Sequence, residues 1–261
     1  MKFKDTLYGD LTGQNYKGNI IVSDMKLTSL EGAPQSVQGF FTCRNNNLTS
    51  LEDAPQKITG FFDCKNNNLT SLKGSPQTIQ GSFDCGNNKL TTLEGVPQTL
   101  NSFFNCNNNM LTSLEGAPQT VGSYFDCSNN NLTSLEGAPQ TVQGDFDCSN
   151  NDLTSLEGAP QTIQGDFNCN INKLISLEGA PQTIQGHFDC SKNRLTSMRG
   201  LKGITIIAMN CNNNTNKHLN KEFELRKKNP TMTEEEIDEK MYELTQSEYY
   251  LPQEAKDIFL F

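Results

Sequence analysis

The chain has 261 residues, a formal charge of -9, no Trp and 34% hydrophobic residues, too few for a broad globular core. The acidic balance argues against a phosphate-backbone partner, which needs clustered Lys and Arg, so no direct nucleic-acid contact is expected. No run of about 18 apolar residues offers a membrane span. MKFKDTLYGDL also lacks the apolar stretch of a secretory leader, so a cytoplasmic protein is expected.

In chain order, residues 1–26 read as an N-terminal cap. Tyr16, Gly18, Ile20 and Val22 are spaced like the inward positions of a partial strand unit. From there the apolar residues recur at a fixed interval. Nine cysteines (Cys43, Cys64, Cys85, Cys106, Cys127, Cys148, Cys169, Cys190 and Cys211) are each separated by 21 residues. So strict a period identifies a repeat array, tiling residues 27–215 without insertion or deletion. An odd count, no export signal and one fixed place per unit argue against disulfides; the thiols read as small buried hydrophobes.

A typical unit is LTSLEGAPQTVQGDFDCSNND, Leu132 to Asp152. From Thr141 to Cys148 it alternates, with Val142, Gly144, Phe146 and Cys148 on one side and Gln143, Asp145 and Asp147 on the other. That is a strand with one buried face. The Phe recurs from Phe41 to Phe188, so each ring is expected to stack on that of the next coil through parallel strand pairing. An Asn three residues after every Cys, from Asn46 to Asn214, is expected to satisfy backbone groups where the chain leaves the strand. Two buried leucines follow. In EGAPQ the Gly supplies a positive φ and the Pro an extended turn on the outer side, although Asp53 replaces the Gly once.

With these positions placed, F-x-C-x-x-N-x-L-x-x-L resembles the core of the leucine-rich repeat, in the short form found in bacteria and bacteriophages. The resemblance covers residues 27–215. It implies a solenoid whose parallel sheet lines a concave face that binds protein, with a mostly irregular convex side. The Gly four residues before Cys, as at Gly144, departs from that pattern as an added inward residue.

Residues 216–261 change composition and read as a helical C-terminal cap or tail. Thr233 and Glu236 make a capping box, and Ile237, Met241 and Leu244 follow at helical spacing. A further helix is expected around 217–228 and a short one around 252–260. Leu219, Phe223, Ile258, Phe259 and Phe261 are expected to cover the open end of the array, or else to dock on a partner.

Binding has to be read from the outward strand positions. Three residues before Cys stand Phe40, Phe61, Ser82, Phe103, Tyr124, Asp145, Asp166 and His187. One before Cys stand Thr42, Asp63, Asp84, Asn105, Asp126, Asp147, Asn168 and Asp189. The first column is aromatic in its N-terminal half and acidic beyond, with an acidic stripe beside it. A row of exposed aromatics marks a contact surface, though cross-strand stacking alone also favours it. The acidic stripe reads either as solubilising surface or as a match for a basic partner.

No catalytic apparatus, cofactor or metal site is expected. His187 and His218 are in unrelated contexts, no phosphate-binding loop exists, and the Asp column lacks the loops that wrap Ca²⁺. The expected function is a non-enzymatic interaction module for a protein with a basic or apolar contact surface. By analogy with phage and bacterial repeats, it would be an inhibitor of a host factor. The alternative is an acidic decoy in a partner's nucleic-acid groove.

Overall fold

The computed structural model describes residues 1–201 and 208–249. Successive coils stack in register, so that like residues pair: Phe41 with Phe62, Phe62 with Phe83, and on to Phe167 with Phe188, all parallel. One ladder of ten strands runs from Ile20–Ile21 to Ala208–Asn210 and contains every core Phe from Phe41 to Phe188. Asn15–Lys17 pairs with Ser36–Gln38, and Ile20 with Phe41, so the segment before the first cysteine is already coiled in register.

The single strand expected from Thr141 to Cys148 is instead two short ones, Thr141–Val142 and Phe146–Asp147, separated by a bend. The same split occurs where Ser102 and Ser123 stand at the position of Gly144, so it does not require glycine, although backbones pack closely at Gly144. A Cβ there would sit 2.9 Å from the carbonyl carbon of Ser123 and 3.1 Å from the Tyr124 nitrogen. Backbone thus lies close against backbone at Gly144. Among the described residues the coils up to Thr183–Ile184 supply a second ladder, which is interrupted. Four strands end at Thr78–Ile79 and five more begin at Thr99–Leu100. The break coincides with Val96, where the neighbouring units carry Ser75 and Ala117.

Inside the coils the eight phenylalanines from Phe41 to Phe188 are fully buried. Their ring centroids are 5.1 Å (Phe62–Phe83) to 6.0 Å (Phe41–Phe62) apart. Phe3, from the N-terminal turn Phe3–Asp5, extends the row at 6.2 Å from Phe41, above a coil that has Ile20 at the Phe position. Each such ring contributes roughly 1.5–3 kcal/mol by burial. All nine cysteines are free and buried beside this row. Burial pushes thiols such as Cys127 well above their usual range, and that of Cys211, near the C-terminal end, up to about 11. They pack as uncharged thiols.

The Asn ladder closes the turn after each cysteine. Asn130 Nδ2 donates to the carbonyls of Cys127 and, one coil back, Cys106, both at 3.1 Å, while its Oδ1 accepts the Leu111 amide at 3.0 Å. The bonds recur from Asn46 to Asn214. One residue earlier lies a second column in the left-handed region, Asn45 to Asn150 and Asn213, with Ile171 and Lys192 as exceptions. In the EGAPQ turn, Gly137 has φ +85° and Asp53 adopts +66° in the exceptional unit. The prolines of this turn, such as Pro34, Pro55 and Pro139, are buried.

Two helices, α1 (Leu219–Lys228) and α2 (Glu234–Tyr249), follow the last strand. Leu219 is buried against the core, and Phe223 packs on it. Glu222 Oε1 accepts the Met198 amide at 2.8 Å, fixing α1 to the array. Arg226 then bridges Glu222 (Nη2 at 2.8 Å) to Glu234 (Nη1 at 3.0 Å, Nη2 at 2.8 Å), tying α2 to α1. Thr233 and Glu236 make the reciprocal bonds of the capping box, at 2.8 and 3.2 Å. The short helix expected at 252–260, with Ile258, Phe259 and Phe261, lies outside the described residues.

Ile171 is a strained position, since a β-branched residue is poorly suited to φ +54° and its side chain is 42% exposed. Ile171→Asn is expected to raise stability by about 1 kcal/mol, measured by urea unfolding. An unchanged or lower midpoint would contradict the strain.

Candidate protein-binding face

The ten-strand ladder carries both outward columns on one face. In the column three residues before each cysteine, Phe40 and Phe61 stack at 4.6 Å with planes 10° apart. Phe103 and Tyr124 stack at 4.6 Å and 8°. Ser82, buried, separates the two pairs. Phe61 is the most open of these rings, at 38%. The core needs none of them, because Phe41, Phe62, Phe104 and Phe125 fill it from the opposite side of the strands.

Beyond Tyr124 the same column becomes Asp145, Asp166 and His187, all exposed. Asp145 Oδ1 accepts the Asp166 amide and Asp166 Oδ1 accepts the His187 amide, each at 2.8 Å. A carboxylate here forms an extra rung between coils, as Asn19 does for the Phe40 amide at 3.1 Å.

The stripe beside it also has a structural task. Asp63, Asp84, Asp126, Asp147 and Asp189 each direct Oδ1 to the backbone amide two residues on, at 2.9 to 3.2 Å. Asn105 and Asn168 do the same with an amide oxygen. The turn therefore requires an Asp or Asn oxygen, and charge is optional, which accounts for the alternation of the two residue types. Asp63 and Asp84 are buried; Asp126, Asp147 and Asp189 are half-buried. Burial pushes the Asp63 and Asp147 carboxyls above their usual range. At Asp189 burial acts the same way, but bonds from Ser191, Asn170 and Asn210 outweigh it and leave the carboxyl below that range.

Two cations escaped the sequence reading. Lys65 Nζ lies 3.2 Å from Asp84, and Arg44 Nη1 lies 4.0 Å from Asp63. The position just after each cysteine holds them, and a comparison of that column across units would have shown the basic pair beside Phe40 and Phe61. Burial, then the charges of Asp84 and Asp126, push the Tyr124 phenol up to about 12. Among the described residues no cluster of His, Cys, Asp or Glu is arranged to hold a metal, and no helix is long and apolar enough to cross a membrane.

Parallel strands, a stacked apolar core and an Asn rung in every coil follow one repeating plan. The fold is a leucine-rich-repeat solenoid. No protein-family model and no curated protein matches the chain. Among solved structures it is similar to YopM from Yersinia enterocolitica WA-314, at 17% identity and a TM-score of 0.25. That match spans 75% of this chain and 64% of the other. So loose a superposition carries no functional argument, and the fold assignment rests on this solenoid's own coil geometry.

The raised Asp63 carboxyl gives a pH test. A group whose folded value lies above its unfolded one stabilises the fold fully below the unfolded value, and that contribution is lost as pH rises through the folded value. Asp63→Asn keeps the oxygen for the Lys65 amide and turns an NH₂ to the Thr42 hydroxyl, now 3.3 Å from Asp63 Oδ2. Its melting temperature is expected to exceed that of the wild type at pH 7, with the gap closing at pH 3. A variant less stable than wild type at pH 7 would show that the ionised form supports the fold.

Proposed function

We propose that the solenoid is a non-enzymatic interaction module that grips a protein partner on its strand face, through Phe40, Phe61, Phe103 and Tyr124. The observation that carries this reading is the two stacked aromatic pairs standing outside a core already complete without them. Rigid, partly exposed aromatics are the side chains that dominate binding energy at protein interfaces. Asp63, Asp84, Asp126, Asp147 and Asp189 border them, and Asp145, Asp166 and His187 continue their column, which favours a partner with basic as well as apolar surface. Inhibition of a host factor in a bacterial or phage-infected cytoplasm is the biological form this reading takes.

The decoy alternative, a mimic of nucleic-acid charge, asks for freely presented carboxylates. The stripe supplies few, because each of its aspartates commits one oxygen to a backbone amide and two also face a cation. Phe61→Ser combined with Phe103→Ser is expected to weaken capture of the partner by about thirtyfold or more, with the circular dichroism of the array unchanged. Undiminished capture, or capture abolished by Asp145→Asn with Asp166→Asn and by moderate salt, would favour the decoy.

A further inference from the structure

The aromatic column is a five-position stack with one ring missing. Register pairing puts Phe61, Ser82 and Phe103 on consecutive coils, since their neighbours Phe62, Phe83 and Phe104 pair in sequence. At about 4.8 Å per coil, positions 61 and 103 lie about 9.6 Å apart. A single planar group between those rings would be about 4.8 Å from each, close to the 4.6 Å that both existing pairs adopt. The floor is closed, as Ser82 is itself buried, so a guest enters from the open rim where Phe61 is exposed.

We infer that this vacancy receives an arginine side chain of the protein partner, its guanidinium stacked between Phe61 and Phe103. Two observations select a flat cation. The walls are ring faces, which carry the negative side of the aromatic quadrupole. Although Arg44 and Lys65 already face Asp63 and Asp84, the carboxylates of Asp63, Asp84 and Asp126 outnumber those two cations, on a chain of net charge -9. A lysine of the partner satisfies the carboxylates but has no plane to stack, and a neutral aromatic ring satisfies the walls alone. The inference deepens the proposed function and depends on it.

The test uses the full chain and three blocked peptides, Gly-X-Gly-X-Gly with X as arginine, lysine or tyrosine. Binding is followed by calorimetry and by the ring-proton resonances of Phe61 and Phe103. The arginine peptide is expected to shift both rings and to bind at least tenfold more tightly than the lysine or tyrosine peptide. Ser82→Phe supplies the missing ring; it should fold with an unreduced melting temperature and lose the arginine peptide by more than tenfold. Equal or better binding of the tyrosine peptide, arginine binding that survives Ser82→Phe, absence of arginine binding, or a lowered melting temperature in that variant would each overturn the inference. If Ser82→Phe still captured the protein partner while the Phe61→Ser, Phe103→Ser variant did not, the protein-binding reading would stand and only the arginine slot would fall.

Discussion

The structure depends on one side-chain amide repeated nine times. Each Asn three residues after a cysteine joins its own turn to the coil before it, donating to two carbonyls and accepting a leucine amide. Strands as short as Phe146–Asp147 make few ladder bonds, and a buried turn without the rung would leave several polar backbone groups unpaired, each at about 1–3 kcal/mol. The rung also explains the invariant spacing. One inserted residue between two asparagines would break register with the neighbouring coil, and the Phe and Cys rows would lose their alignment with it.

With cohesion supplied from inside, the outward column is free to vary, and it does so in two blocks. From Phe40 to Tyr124 it carries rings interrupted at Ser82, and from Asp145 to Asp166 it carries carboxylates that add rungs between coils. The N-terminal block therefore offers side chains with no task in the coil, whereas the C-terminal block spends part of its polarity on the backbone. That division favours contact through the aromatic half.

Much of this was legible in the sequence because periodicity projects directly onto stacking. Spacing alone placed the Phe row, the Asn rung, the positive-φ turn and the capping box of Thr233 and Glu236. What escaped depended on the third dimension. Gly144 looked like one more inward residue of a single strand, but the strand is split at this position, whether it holds Gly144, Ser102 or Ser123. The aspartate stripe read as surface charge; its alternation with Asn105 and Asn168 was the available sign that only the oxygen matters. The reach of Lys65 to Asp84 depends on side-chain direction, which a one-dimensional pattern does not carry.

The most direct test of the rung is amide hydrogen exchange in the intact chain. Leu48, Leu69, Leu90, Leu111, Leu132, Leu153 and Leu174, all buried, donate their amides to asparagine oxygens at 2.9 to 3.0 Å and not to the backbone ladder. Their amides should exchange as slowly as those of Cys64, Cys106 and Cys148 in the backbone ladder. Fast exchange at the leucines beside slow exchange at the cysteines would mean that the coils are held by strand pairing alone.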